Sequence, residues 1–188
     1  MPISLGTEAE YKRGYKPGNV YFACPVSSAS SVTSLANMVR YAPFTLKDDV
    51  TIDRLSLEIA AAASGALMKI AIFYPSLITK DIPGQRIIST ASLDCSTTGI
   101  KTGIVADTFL KKGDYWGATW TNSGAIGFRG NNGLPVSMEY LIGTNEQAFT
   151  LFWCGYTQSN VTDIPLSVVE SDLAQNRIAP FIKFRVKP

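Results

Sequence analysis

Carboxylates are the groups of this sequence best suited to acid–base catalysis, because the chain contains no histidine. A pair of carboxylates can hydrolyse a glycosidic bond. Ser–His and Cys–His nucleophile pairs and histidine-ligated metals are excluded. No spacing singles out one pair of acids, so each is interpreted as a solvated surface charge, and neither an enzymatic activity nor a cofactor or metal is expected. The candidate acids are Asp48, Asp49, Asp53, Glu58, Asp114 and Glu139.

Three large aromatic residues form a second candidate site, in the stretch LKKGDYWGATW at 110–120. Adjacent residues of a strand point to opposite faces, so Tyr115 and Trp116 must point apart, while Trp120 shares the parity of Trp116. Three interpretations stay open: the Trp pair fills the core of a sandwich, a ring stacks on a ligand such as a sugar, or the aromatics lie in a subunit interface. The first is favoured. Tyr115, Trp116 and Trp120 are the residues to test as ligand or interface contacts.

The three cysteines, Cys24, Cys95 and Cys154, are far apart and odd in number. No pair has metal-ligand spacing, and no disulfide framework is implied. We interpret them as buried free thiols, in a protein that folds in a reducing cytoplasm.

Basic residues are too scattered to predict a nucleic-acid partner. The 17 Lys and Arg are distributed along the chain, whereas a nucleic-acid footprint needs a clustered stripe. The apolar stretch near 59–74 is interrupted by Ser64, Gly65 and Lys69, so no membrane insertion is expected. The first residues do not have the pattern of a signal peptide.

Residues 50–63, VTIDRLSLEIAAAA, show the clearest periodicity of the chain. Val50 and Ile52 alternate with polar residues, and after Asp53–Arg54 the alternation continues in the opposite phase. A two-residue period indicates a half-buried strand, and the change of phase predicts a β-bulge. A turn then leads into the apolar stretch 66–74, so these two strands are predicted to form a hairpin.

The remaining segments are mostly predicted to be short strands separated by turns. A hairpin-like turn is predicted at KKGD, 111–114, and a central strand at 148–156. Residues 167–177, SVVESDLAQNR, are the one stretch predicted to be helical, for two or three turns. Many short strands with little helix predict an all-β antiparallel β-sandwich of jelly-roll type, with at most one short helix near 167–177.

The chain is predicted to divide near residue 20. Residues 1–20 are polar and interrupted by Pro and Gly, a composition that is loosely held unless a partner binds it. We interpret 1–20 as an N-terminal attachment arm and 21–188 as the β-sandwich domain. Since 66–74 and 148–156 carry apolar residues on both faces, the domain is expected to form a homo-oligomer that buries the second face.

Several stretches resemble a module that recurs in virion proteins of tailed bacteriophages, in tail fibres, head fibres and other exposed appendages. The likeness covers about residues 38–121, and the closing IAPFIKFRV fits the last strand of the module. The positions that carry it are the aromatic-Pro-Phe strand at 41–44, Asp53–Arg54, Pro83–Gly84, Asp94 to Lys101 and Leu110 to Ala118.

The resemblance implies a non-enzymatic structural protein of the virion surface, made in the host cytoplasm and displayed in several copies, with a trimer as the expected oligomer. The arm would bind other virion proteins, and the sandwich would face a host surface glycan or protein. A long repetitive shaft is missing, so we expect either a whole short appendage or one piece of a larger organelle, and a fibre, of the tail or the head, and a decoration protein both stay open. The alternatives are a capsid decoration or cement protein that stabilises the head, and a carbohydrate-binding module in which Tyr115 or a Trp stacks on a sugar.

Overall fold

The computed structural model describes residues 14–23, 30–79, 81–132, 155–176 and 178–188. In these ranges the chain is nearly all strand, and helix is limited to one 3₁₀ turn at Glu170–Asp172. The strands are β1 (Val20–Phe22), β2 (Ser30–Thr33), β3 (Met38–Leu46), β4 (Val50–Ala61), β5 (Leu67–Pro75), β6 (Pro83–Ser89), β7 (Leu93–Asp94), β8 (Gly99–Leu110), β9 (Gly113–Thr121), β10 (Gly127–Asn132), β11 (Gly155–Ser159), β12 (Ala174–Asn176), β13 (Ile178–Pro180) and β14 (Lys183–Val186).

The strands form two antiparallel sheets that pack face to face, so the predicted all-β sandwich is confirmed. Sheet A has the order β1-β14-β4-β10-β13, with β8 paired to β4 and β2 paired to β10. Sheet B has the order β12-β11-β3-β9-β5-β6, with β7 paired to β5. Many consecutive strands lie in different sheets, as in a jelly roll.

Both predicted hairpins are wrong, because the chain crosses from one sheet to the other at each turn. β4 pairs with β8, β14 and β10 in sheet A, whereas β5 pairs with β9, β6 and β7 in sheet B. In the same way β8 and β9, on either side of KKGD, belong to different sheets. A two-residue period indicates one buried face but does not specify the partner strand. When consecutive strands lie in different sheets, their apolar faces pack against each other across the core. In a hairpin the two apolar faces lie side by side in one sheet.

The bulge predicted at Asp53–Arg54 is confirmed. In the pairing with β14, Ile52 lies opposite Val186 and Arg54 opposite Arg185, so Asp53 is an extra residue. The register with β8 shifts at the same point. The bulge allows Ile52 and Leu55 to enter the core on the same side of the sheet, although three positions separate them.

The helix predicted at 167–177 is reduced to the single turn Glu170–Asp172. The residues after it form β12, in which Ala174, Gln175 and Asn176 pair with β11. Pairing at the edge of sheet B therefore prevails over the weak helical preference of this stretch.

The main core lies between the sheets and includes a row of aromatic rings. Tyr115 stacks on Phe44 in sheet B at 5.8 Å, and Phe44 stacks on Phe184 in sheet A at 6.5 Å. Tyr21 and Tyr15 continue the row beyond Phe184, at 6.0 and 5.6 Å. The rings therefore connect the two sheets near one end of the sandwich.

Cys95 lies in this core as a free, buried thiol, and burial raises its pKa to about 11. The prediction of a buried free thiol is confirmed for this residue, whereas Cys24 and Cys154 lie outside the described residues. So do 148–154 of the predicted central strand, whose remainder is part of β11, and 1–13 of the predicted arm.

The described end of the predicted arm, 14–20, contacts the sandwich. Gly18 N–H donates to Val186 O at 2.9 Å, and the ring of Tyr15 packs against Tyr21 and Phe184. Strand β1 then pairs with β14. A deletion that leaves these contacts intact must therefore end at residue 13.

Candidate functional site

Tyr115 and the two tryptophans lie on opposite faces of β9, as the strand parity predicts. Tyr115, Trp116 and Trp120 are 5 %, 4 % and 7 % exposed. Tyr115 faces the main core, where its hydroxyl donates to Lys111 O at 2.8 Å. Burial raises the pKa of this hydroxyl. The expectation that the Trp pair fills the core between the sheets is wrong, since Tyr115 is the residue that does so.

Trp116 and Trp120 belong to a second apolar cluster, on the outer face of sheet B. Their neighbours in the sheet include Tyr41 and Phe73, whose rings meet edge to face at 5.5 Å. The missed signal is the size of the outward residues. Trp116 and Trp120 on β9 and Phe73 on β5 are too large and apolar for a solvated face, and they indicate a second buried layer.

Residues 161–173, named here the covering segment, close this outer face. Trp120 Nε1–H donates to Val161 O at 2.8 Å, and Ile164 is buried against the cluster. Arg86 Nη1 donates to Ile164 O at 2.7 Å, and Lys69 forms an ion pair with Asp163 at 2.7 Å. The second apolar face of 66–74 is thus buried by the chain itself, without a neighbouring subunit.

A polar chain that runs from the buried Tyr41 to the exposed Asp172 connects sheet B to the covering segment. The Tyr41 hydroxyl donates to Gln158 Oε1 at 2.9 Å, and Gln158 Nε2 donates to Asp172 Oδ2 at 3.3 Å. Burial, together with the charge of Asp172, raises the pKa of Tyr41. Both side-chain groups of Gln158 are therefore satisfied, which fixes the position of Asp172 over the sheet.

The outer face of sheet A, named here the open face, has a different composition. Across β1, β14, β4 and β8 the register places Val20, Arg185, Arg54 and Ile104 in one row. The next row contains Phe22, Lys183, Ser56 and Thr102, and Ile100 lies beyond it opposite Glu58. Exposed apolar side chains therefore flank a central band of charge on this face.

Ion pairs hold the charged band of the open face. Arg185 donates to Asp53 with both Nε, at 2.9 Å, and Nη2, which lowers the pKa of Asp53. Arg129 Nε lies 3.3 Å from Glu58 Oε1. Lys183 Nζ lies 4.8 Å from the ring centre of Phe22, a cation–π distance. These contacts order the half-buried and exposed side chains of the open face.

Four of the six candidate acids each have a separate hydrogen-bonding partner. Asp53 and Glu58 bind arginines, Asp49 accepts from the Lys112 N–H at 2.7 Å, and Asp114 accepts from the Thr45 hydroxyl at 2.6 Å. Glu139 lies outside the described residues. Within the ranges given above, no group of three or more acidic or cysteine side chains is placed to hold a metal.

Arg40 is a buried cation between the sheets. Its Nη2 donates to Thr33 O at 3.1 Å, and its Cζ lies 5.4 Å from the ring centre of Phe128. Burial lowers the pKa of the guanidinium to about 10. A carbonyl and an aromatic ring, among the described groups, are what stabilise this charge.

The positions that carry the phage-module resemblance have structural roles. Asp53 forms the bulge and binds Arg185, and Asp94 accepts from both the backbone N–H and the hydroxyl of Ser96. A Cβ on Gly84 would lie 2.9 Å from the Ser76 Cα, so only glycine fits there without movement. These three residues therefore hold the framework of the sandwich.

Comparison with known proteins gives no assignment. No protein-family model matches the chain. No curated protein matches it either. Across the part of the chain that the structure describes, no helix combines the length and hydropathy that a membrane crossing requires.

Proposed function

We propose that this protein is a non-enzymatic component of the surface of a phage particle, which acts by contact through its β-sandwich. The observation that carries the proposal is the open face, where exposed apolar side chains flank ordered ion pairs on a rigid sheet. Such a mixture is typical of protein contact surfaces. The resemblance of the framework residues to phage appendage modules supports the location on the virion.

The N-terminal residues 1–13 are proposed to attach the domain to other virion proteins. Deleting them should leave the sandwich folded, because the contacts of Tyr15, Gly18 and β1 remain. The deletion variant should then be absent from purified particles, while the circular dichroism and the unfolding midpoint of the purified variant stay unchanged. Normal incorporation of the folded deletion variant would refute the attachment role.

The open face is proposed to contact the host surface, and competition for adsorption tests this. Purified protein should reduce infection of host cells, and Phe22→Ser should weaken that effect because it removes an exposed ring and its contact with Lys183. Val169→Ser is the matched control, since Val169 is equally exposed but lies on the covering segment.

A decoration protein predicts the opposite result. In that case the purified protein leaves adsorption unchanged, and particles that lack it lose their genome at a lower temperature. That outcome would favour the capsid-stabilising role over contact with the host surface.

The carbohydrate alternative requires a sugar to reach Trp116 or Trp120, whose rings lie beneath the covering segment. Binding on a glycan array that is lost in Trp120→Phe would support this alternative.

A further inference from the structure

Strand β8 is the longest open sheet edge among the described strands. Along Gly99–Leu110 it pairs with β4 on one side, and its other side has no strand partner in the described part of the chain. An edge of this length presents a row of free backbone N–H and C=O groups, and native proteins normally block such edges.

The other edges are short or blocked. At the outer edges, β1, β12 and β13 have three residues each, and β2 has four. The edge of β6 is occupied by the covering segment, because Arg86 N–H donates to Leu166 O at 2.8 Å and Val168 N–H donates to Gly84 O at 3.1 Å. The open edge of β8 is therefore an exception among the strands that the structure describes.

Charge and proline, two of the usual devices that protect an edge, are missing from the middle of β8. Residues 102–106, TGIVA, contain neither charge nor proline. The nearest charges on either side are engaged elsewhere: Lys101 Nζ donates to Thr97 Oγ1 at 2.6 Å, and Asp107 forms an ion pair with Lys187. The register irregularity with β4 falls at 105–107, between Ile104 and Thr108, so 99–104 stays in regular register with β4.

We propose that the β8 edge binds the β8 edge of a second copy of this chain, antiparallel, with Thr102 on the two-fold axis. Ile100, Thr102 and Ile104 alternate on the open face, and Ile100 and Ile104 are 60 % and 76 % exposed. In this register Ile100 lies opposite Ile104 of the second copy, twice by symmetry, with the two Thr102 side chains between them. Such β-branched and Thr–Thr cross-strand pairs stabilise antiparallel sheets.

Self-complementarity identifies the occupant as a second copy. A two-fold contact requires residue i to meet residue j and j to meet i, and the pattern Ile-x-Thr-x-Ile satisfies this about its centre. The contact joins two copies of sheet A into one continuous sheet and two open faces into one. It goes beyond the proposed function, and it gives a dimer instead of the expected trimer.

Sedimentation of the purified chain between about 1 µM and about 1 mM tests the association, because a short edge pairing is expected to be weak. A monomer–dimer equilibrium is expected. Ile104→Lys should raise the dissociation constant about tenfold or more, since it places a charge in both symmetric pairs. Val20→Lys, the same kind of substitution at an exposed position of β1, should leave the dissociation constant unchanged.

Cross-linking tests the register. With Thr102→Cys the two Cα atoms should lie about 5 Å apart, within the range of a disulfide. With Ala106→Cys, also exposed on β8, they should lie roughly 25 Å apart and no bond should form. A mixture of Ile100→Cys and Ile104→Cys chains should cross-link between the two variants, as identified by peptide mapping.

Three outcomes overturn the proposal. If the protein is a monomer at the highest concentration, the β8 edge does not bind a second copy, and a segment of another protein becomes the candidate partner. If it is a trimer, the copies associate through a surface other than this two-fold edge. A dimer that cross-links equally through Ala106→Cys would place the contact in a different register. None of these results depends on particles or host cells, so they are independent of the adsorption tests.

Discussion

The two sheets have similar inner faces but different outer faces. On sheet B the outward residues Tyr41, Phe73, Trp116 and Trp120 are large and apolar, and the covering segment buries them. On sheet A the outward positions carry ion pairs and isolated apolar residues that stay exposed. The difference shows that several large apolar residues side by side on outward strand positions mark a face that the chain itself buries, whereas single apolar residues among charges stay exposed.

Trp120→Ala is expected to have the largest effect, because it removes a buried ring and the hydrogen bond to Val161 from the covered face. The loss of unfolding free energy should be about 3–5 kcal/mol, as for other buried aromatic truncations. Ile104→Ala on the open face should change it by less than about 0.5 kcal/mol. Urea denaturation measures both; similar losses for the two variants would contradict the distinction between the faces.

Gly155→Ala should cause the second largest loss of unfolding free energy, since it disturbs the strand that precedes the covering segment. A Cβ at Gly155 would lie 2.0 Å from the carbonyl oxygen of Tyr41, so the backbone of β11 or β3 must move. We expect a loss of about 2 kcal/mol. Gly124→Ala is the control, because its Cβ would meet no atom closer than 3.5 Å. Equal unfolding midpoints for both variants would show that β11 approaches β3 less closely.

Tyr41→Phe should have an intermediate effect on the covered face. It keeps the ring but removes the hydroxyl that donates to Gln158, which leaves the buried Gln158 Oε1 without this partner. The expected loss is about 1–2 kcal/mol. In the double variant with Gln158→Leu the loss should be smaller than the sum of the single losses. Additive losses would mean that the two groups do not interact.

The strands were predictable where one residue pattern decides the outcome. The alternation in 50–61 predicts β4, and its phase change predicts the bulge at Asp53. The sheet to which β5 belongs could not be predicted, because a two-residue period describes a face and not a partner. The apolar second face of 66–74 indicated a further buried layer, but not that its cover comes from the same chain.

The covering segment itself carries only a partial periodic signal. Its apolar contacts come from Val161, Ile164, Val168 and Leu173. The first three have a helical spacing, which Leu173 breaks, and the structure forms only the 3₁₀ turn Glu170–Asp172. The backbone and side-chain hydrogen bonds to Trp120 and Arg86 fix its path. Because these partners are distant in sequence, only the tertiary structure shows that the Trp pair lies beneath 161–173 and not between the sheets.

Asp53→Asn on the open face should have the smallest effect at neutral pH, and its effect should depend on pH. Hydrogen bonds from Arg185 lower the pKa of Asp53 in the folded state below its unfolded value of about 3.9. The contribution is therefore fully present above that unfolded pKa and is lost as the pH falls through the folded pKa. The urea midpoints of wild type and Asp53→Asn should differ slightly at pH 7 and converge toward pH 2.

Arg185→Gln should lose the same acid-dependent increment, because it removes the donor that lowers the pKa of Asp53. High salt should shrink the difference at pH 7 only in part, since the side chains of Arg185 and Asp53 are 23 % and 16 % exposed and ions screen a partly buried pair less than an exposed one. The same pH and salt measurements on the ion pair between Lys69 and Asp163, at the edge of the covering segment, provide the comparison for sheet B. If Asp53→Asn instead destabilised the domain as much as Trp120→Ala at every pH, Asp53 would act through the bulge geometry, and the open face would be as integral to folding as the covered one.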